Sequence, residues 1–258
     1  MTEETTETLY MLGEQDRIVG ISGFTVRPPE ARREKPRVSA FTSAKIDRIL
    51  ELKPDLVLGF SDLQADIAAE LIRKGVEVHV FNHRSVEEIL NMMVQLAALV
   101  GRADDMMDWV AGWEKQAAAA RIALPPEADR PRVYFEEWDD PLISGIRWVS
   151  ELIELAGGID TFPENAREPL GKNRIIADPL EVARREPDII IGSWCGKKFR
   201  PEKVADREGW QDVPAVRDGQ IFEIKSALIL QPGPAALTDG LEELQRIISS
   251  WHEGQGPK

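Results

Sequence analysis

The sequence predicts an α/β protein built as two Rossmann-like lobes of parallel-rich sheet joined by a single long helix. Three observations carry that prediction. Strand-like and helix-like segments alternate through both halves of the chain. One pattern occurs twice, as IDRILELKPDLVLGFSD and as PLEVARREPDIIIGSWC: a short helical segment, Pro-Asp, an apolar run, a glycine, then loop residues. Pro54-Asp55 and Pro187-Asp188 lie too far apart for a solenoid repeat and suit two related halves. Between them, residues 101–124 place Met106, Val110, Trp113, Ala117, Ala120 and Leu124 at helical spacing. Asp104 and Asp105 favour a helix N-terminus there, Pro125-Pro126 end the run, and about 20 helical residues span roughly 30 Å. The expected division is a first lobe over residues 1–100, a connecting helix over 101–124 and a second lobe over 125–258.

The elements follow in order. Residues 1–13 read as a helix, with Leu9, Met11 and Leu12 apolar, Gly13 placed to end it, and Thr2, Glu4 and Thr5 supplying capping chemistry. Residues 17–22, RIVGIS, are a first strand; 23–36 are a polar loop rich in Pro and Arg; 38–41 are a short extended piece. A helix over 43–52 leads into a strand at 55–60, and a helix over 63–74, closed by Gly75, leads into a strand at 77–81. The connection is long enough for parallel pairing. An amphipathic helix over 86–100 runs into the connecting one. In the second half, strands at 132–138, 188–193 and 220–224 alternate with helices at 148–156, 178–185 and 236–251. Gly157-Gly158 end the first of those helices, and 254–258 form a loose tail.

A chain of 258 residues, 43% hydrophobic and 30% charged, can bury a large core and has the composition of a globular protein. No stretch approaches the roughly 18 unbroken apolar residues of a membrane span, and no secretory leader pattern is visible. The net charge of −13 argues against a polyanionic partner such as nucleic acid. Cys195 stands alone, so no disulfide forms within the chain and a cysteine zinc site is excluded.

In open α/β sheets, ligands meet the carboxyl ends of the parallel strands. The residues at the expected strand ends are therefore informative. Phe24 and Arg27 follow the first strand, Phe41 ends the extended piece, Phe60 ends the next strand, and Phe81, Asn82 and His83 follow. In the second half, Trp138 and Trp194 stand at strand ends and Trp148 at a helix start. Rings converging from two lobes make a flat-walled cleft for a large planar or apolar ligand; singly, each ring serves equally as core or rim packing. Metal binding has little support, because His79, His83 and His252 lie mid-strand, in a loop and near the tail. No nucleophile elbow, phosphate loop or dinucleotide fingerprint occurs. Cys195 with His83 is the one nucleophile–base pairing to consider, and neither a catalytic set nor a cofactor is expected.

The segments LYMLGEQDRIVGIS, RPPEAR, KIDRILELKPDLVLGFSD, LIRKGVEVHVFNHRSVEEI and ISGIRWVSELIELAGGIDTF, with the second Pro-Asp segment, come in an order that resembles one family. The chain is similar to the periplasmic substrate-binding proteins of iron-siderophore, haem and cobalamin ABC importers, most of all the cobalamin-binding members. The resemblance spans nearly the whole chain. It implies a class III binding-protein fold with two α/β lobes bridged by one helix. It implies a corrinoid ligand held in the groove between the lobes, or alternatively a ferric siderophore or haem, for which Arg27, Arg147, Arg174 and Arg200 supply positive charge. A cytosolic corrinoid- or metal-centre-handling factor is a more distant reading.

By position, Phe41 and Phe60 match two aromatic ligand sites of the cobalamin-binding members, with Phe24, Trp138, Trp148 and Trp194 in corresponding regions. The resemblance further implies a permease partner docked through one acidic residue per lobe, Asp66 (with Glu70 one turn away) and Glu181. It implies a periplasmic monomer that meets the membrane only through that permease. One departure stands out. Family members begin with a signal sequence and a first strand that ends near the residues preceding TEETTETLY, where Met1 stands here. The expectation is either a trimmed or misassigned start, or a first lobe that lacks a strand and leaves an edge unpaired.

Overall fold

The computed structural model describes residues 1–255. The chain divides into two compact units: one of Met1–His83, Glu87–Gly112 and Gln231–Pro234, the other of Arg84–Val86, Trp113–Leu230 and Ala235–Lys258. The boundary at residues 112–113 falls inside the helix that the sequence predicts between the halves.

Unit 1 begins with helix α1 (Glu3–Met11), ended by Gly13 at φ +74°, a left-handed cap position that glycine adopts without strain. Of the strand expected over 17–22, only β1 (Ile21–Ser22) forms; residues 15–17 make a 3-10 turn instead. The Pro- and Arg-rich segment is not all loop. Pro29 at the first turn starts α2 (Pro29–Glu34), since its missing N–H needs no partner there. Then come β2 (Arg37–Ser39), α3 (Ile46–Glu51), β3 (Val57–Phe60), α4 (Ala65–Arg73), β4 (Val78–Phe81) and α5 (Val86–Leu99), which starts at the edge of unit 2. On α5, Ile89, Leu90, Met92, Met93, Leu96 and Ala97 are buried, the face its apolar spacing defines.

The strands of unit 1 form two separate parallel pairs, β1 with β2 and β3 with β4. A cavity of about 760 Å³ is lined by Ile18, Val19 and Gly20 on the approach to β1 and by Leu56, Val57 and Leu58 at β3. The Met1 ammonium donates to the Leu58 carbonyl at 2.7 Å, and Thr2 is extended (φ −135°, ψ 158°).

Helix α6 (Ala103–Ile122) runs across the unit boundary. Met106 and Ala117 of its predicted stripe are buried, and Val110, Trp113, Ala120 and Leu124 are half-buried. Unit 2 continues with β5 (Arg132–Asp139), β6 (Leu142–Ser144), α7 (Arg147–Leu155), β7 (Ile159–Asp160), α8 (Pro163–Ala166), α9 (Leu180–Arg184) and β8 (Ile189–Gly192). After β8 come α10 (Pro201–Ala205), α11 (Pro214–Arg217), β9 (Ile221–Glu223), α12 (Ser226–Ile229) and α13 (Leu241–Gln255), the last preceded by a π turn at Ala236–Gly240. Its sheet is continuous in the order β6-β5-β8-β9, with β7 also on β5, and every pairing is parallel except β5 with β6. The short elements β6, β7, α8, α10, α11 and α12 fall below the length at which periodicity identifies an element. Of the tail expected at 254–258, residues 254–255 continue α13 and the rest lie outside the described residues.

The repeated motif has one backbone course in both units. Helices α3 and α9 each end two residues before a non-glycine residue at positive φ, Lys53 (+48°) and Glu186 (+44°). Pro-Asp follows, and then a parallel strand. Proline disfavours the right-handed helical region for the residue before it, so the sharp stop is written into both copies. Gly59, next to last in β3, and Gly192, last in β8, hold the same place in the two copies of the motif. A Cβ on Gly192 would lie 1.9 Å from the Phe199 ring, which packs edge-on to Trp194. Gly192→Ala is therefore expected to lose about 1–3 kcal/mol by overpacking, read by urea unfolding. Adding Phe199→Leu should recover part of that loss; an unchanged midpoint in the single variant would contradict the packing described.

Candidate functional site

Each unit places aromatic residues at the carboxyl ends of its strands. In unit 1, Phe24 follows β1, Phe41 follows β2 and Phe60 ends β3. Phe24 and Phe41 are 55% and 37% exposed, whereas Phe60 is buried. The rings of Phe41 and Phe60 are 6.4 Å apart, and Phe60 lies 4.9 Å from the His83 ring. The imidazole is fixed by Nε2 donating to the Pro232 carbonyl at 2.8 Å, the tautomer a carbonyl acceptor demands.

A residue not singled out from the sequence holds this ledge together. The fully buried Gln64 amide donates from Nε2 to the Phe41 carbonyl (3.0 Å) and accepts the Phe60 N–H at Oε1 (3.1 Å). It ties the Phe41 loop to the end of β3. The turn that aims it there passes through Ser61 at φ +67°, whose hydroxyl accepts the Leu63 N–H. Nothing in the bare sequence distinguishes such a glutamine from a surface one.

In unit 2, Trp138 near the end of β5 is half-buried, its indole N–H on the Asp140 carbonyl. Trp148 and Trp194, expected as contact surface, are each only 4% exposed. The Trp148 indole donates to the Ile229 carbonyl (2.8 Å), and Trp194 donates to Glu136 Oε1 (3.0 Å). Satisfied indole N–H groups allow both rings to pack in the interior, where they brace the strand ends. The Lys197 ammonium, also not anticipated, lies 5.3 Å from the ring centres of both Trp138 and Trp194 and 2.6 Å from both Asp139 carboxylate oxygens.

The arginines are mostly occupied. Arg27 donates to Glu7 (2.9 Å), Arg147 to Glu151 (2.8 Å), and buried Arg174 takes Glu137 in a two-pronged pair (2.6 and 3.0 Å). Arg200 is exposed with no carboxylate within 4.0 Å among the described residues. Of the two acidic surface positions, Asp66 is exposed in the first turn of α4, as is Glu70 one turn on. Glu181 instead accepts from Arg185 (3.0 Å) and Arg184 (2.9 Å), and these hydrogen bonds lower its pKa from the ordinary glutamate value. Cys195 is exposed just past β8. Among the described residues no cluster of three or more His, Cys, Asp or Glu is arranged to hold a metal, and no helix is long and apolar enough to cross a membrane.

Helix-covered, parallel-rich sheets with rings at their strand ends place the molecule in the α/β class whose ligands meet those ends. The chain belongs to the periplasmic binding protein family, whose model matches residues 1–228. It is 24% identical over 256 residues to the vitamin B12-binding protein of Vibrio parahaemolyticus, a match covering 96% of this chain and 88% of that relative. It is 23% identical over 258 residues to an ABC transporter substrate-binding lipoprotein of Bacillus subtilis, covering 94% and 76%. Its fold is similar to that of the periplasmic haem-binding protein BhuT in complex with two haems, with a TM-score of 0.80, 21% identity, and 97% and 96% of the two chains covered.

Proposed function

We propose that this chain is the ligand-capturing component of an ABC importer and that its ligand is a corrinoid. The aromatic strand ends of unit 1 carry the reading: Phe24 and Phe41 are exposed, the Phe41 ring lies 6.4 Å from buried Phe60, and Gln64 holds the Phe41 loop in place. Flat apolar rings suit a large macrocycle, and rigid support keeps the ordering cost of binding low. Similarity to a vitamin B12-binding protein supports the corrinoid, and similarity to a substrate-binding lipoprotein supports transport rather than catalysis. Phe24, Arg27, Phe41, Phe60 and Trp138 are the proposed ligand contacts, with Trp148 and Trp194 as supports. The periplasm is the proposed compartment, and a monomer the proposed state.

Haem or a ferric siderophore is the second reading, favoured by the likeness to BhuT. Against it, Arg27, Arg147 and Arg174 already have carboxylate partners within the chain. Asp66 and Glu181 are the proposed contacts to a permease. Of the two, Asp66 presents an unengaged carboxylate, while Glu181 would first exchange its arginine partners.

Titration with cyanocobalamin, haemin and a ferric siderophore, followed by tryptophan fluorescence and calorimetry, tests the reading. Saturable binding of cyanocobalamin at micromolar concentration is expected, with Phe41→Ala weakening it about tenfold. Gln64→Ala should weaken it comparably through loss of the loop's anchor. The absence of any saturable cyanocobalamin signal would remove the corrinoid.

A further inference from the structure

We infer that unit 1 carries an anion-binding groove that receives an acidic arm, phosphodiester or carboxylate, of the ligand seated on the aromatic ledge. This inference rests on the importer reading and narrows its ligand class. The chain as a whole is strongly acidic, at −13, yet its charge reverses over one short stretch. There Arg32, Arg33, Lys35, Arg37, Lys45 and Arg48 face only Glu34 and Asp47.

The fold gathers these cations. A groove of about 660 Å³ runs beside β2, lined by Arg32, Lys35 and Arg37 from the end of α2 and the start of β2, and by Lys45 and Arg48 from the start of α3. Arg48 is paired with Glu51 at 2.9 Å. Among the described residues, Arg32, Lys35, Arg37 and Lys45 have no carboxylate within 4.0 Å. Like charges gathered without partners repel one another, and an anion bound among them removes that repulsion. Guanidinium forks match the paired oxygens of a carboxylate or phosphate.

The groove also lies in the right place. Its lining includes Gly23, Ser39, Ala40 and Ser43, at the carboxyl ends of β1 and β2. Phe24 directly follows Gly23, and Phe41 directly follows Ala40, so two of the groove's lining residues are chain neighbours of the two exposed rings. A ligand lying flat on those rings would have its acidic arm within reach of the cations. A wholly neutral macrocycle would leave them uncompensated.

The experiment compares wild type with the Arg37→Gln/Lys45→Gln double variant, whose unchanged circular dichroism and melting temperature establish folding. Inorganic pyrophosphate alone should bind the wild type saturably in calorimetry, weaken as salt rises, and lose its signal in the variant. Cyanocobalamin, which carries a phosphodiester arm, should bind the wild type about tenfold more tightly than dicyanocobinamide, which lacks that arm. The variant should bind the two equally. Failure of pyrophosphate to bind, or an undiminished preference in the variant, overturns the groove. Binding of pyrophosphate with no binding of any corrinoid or haemin leaves the groove standing as an anion site and overturns the importer ligand instead. Charge-dependent binding to phosphatidylglycerol vesicles without any pyrophosphate signal would assign the patch to a membrane surface and overturn the ligand-arm proposal.

Discussion

Replacing Glu136 with alanine should cost about 3–5 kcal/mol of folding stability. Glu136 lies in the middle of β5 with no exposed surface. Its carboxylate accepts both prongs of Arg207 (2.5 and 2.9 Å), the Tyr134 hydroxyl (3.1 Å) and the Trp194 indole N–H (3.0 Å). Burial, reinforced by the neighbouring carboxylate, holds the Tyr134 phenol well above its ordinary pKa, so it remains a neutral donor. In Glu136→Ala the guanidinium keeps most of its burial but loses its counter-charge, and three donors lose one acceptor. That is the costly case for an ion pair. Exchanging both partners, as Glu136→Met with Arg207→Met, should recover most of the loss, because matched apolar groups leave no orphaned charge. Urea unfolding of the two variants checks this. A single-variant loss below about 1 kcal/mol would mean that the pair is effectively solvated.

Glu4→Gln should stabilise the protein at pH 8 by up to about 3 kcal/mol, and by nothing at pH 4. Glu4 is buried in the first turn of α1, beneath Gly233, and its Oε1 has no hydrogen-bond partner. Burial first, then the adjacent Glu3 charge, raises its pKa to about 7, against the lowering effects of its own backbone N–H, Thr2 and the Met1 ammonium. The favourable end of the helix dipole is too weak to offset full desolvation. A raised carboxyl pKa means that the folded state holds the proton more tightly. Below the unfolded value, near 4.3, both states are protonated and stability is fully present. As pH rises toward 7 the unfolded chain releases its proton first, and stability falls; above 7 the loss is complete and constant. Glu3, also raised by burial, adds in the same direction. Unfolding midpoints of wild type and variant should diverge from pH 4 to 7 and then run parallel. A constant offset would refute the assignment.

The division of labour between sequence and structure is clear in particular residues. Helix α6 was legible because its apolar spacing persists over twenty residues, and the paired Pro-Asp strands because proline forces the same stop after α3 and α9. Phe24 and Phe41 were legible as rings at strand ends, since a strand end followed by an aromatic needs only local pattern. What stayed hidden depends on partners far along the chain. Trp148 is buried because Ile229 offers a carbonyl, and Trp194 because Glu136 offers a carboxylate, contacts that span 81 and 58 residues. Gln64 acts on Phe41 across a turn whose positive φ at Ser61 no spacing rule announces. Short strands such as β6 and β7 exist by virtue of β5, which supplies their hydrogen bonds.

The strands of unit 1 stop at pairs, while the sheet of unit 2 passes hydrogen bonding laterally from β6 through to β9. The two units therefore differ in cohesion. The second has a laminated backbone that should yield only as a block, whereas the first can peel apart two strands at a time at lower free energy.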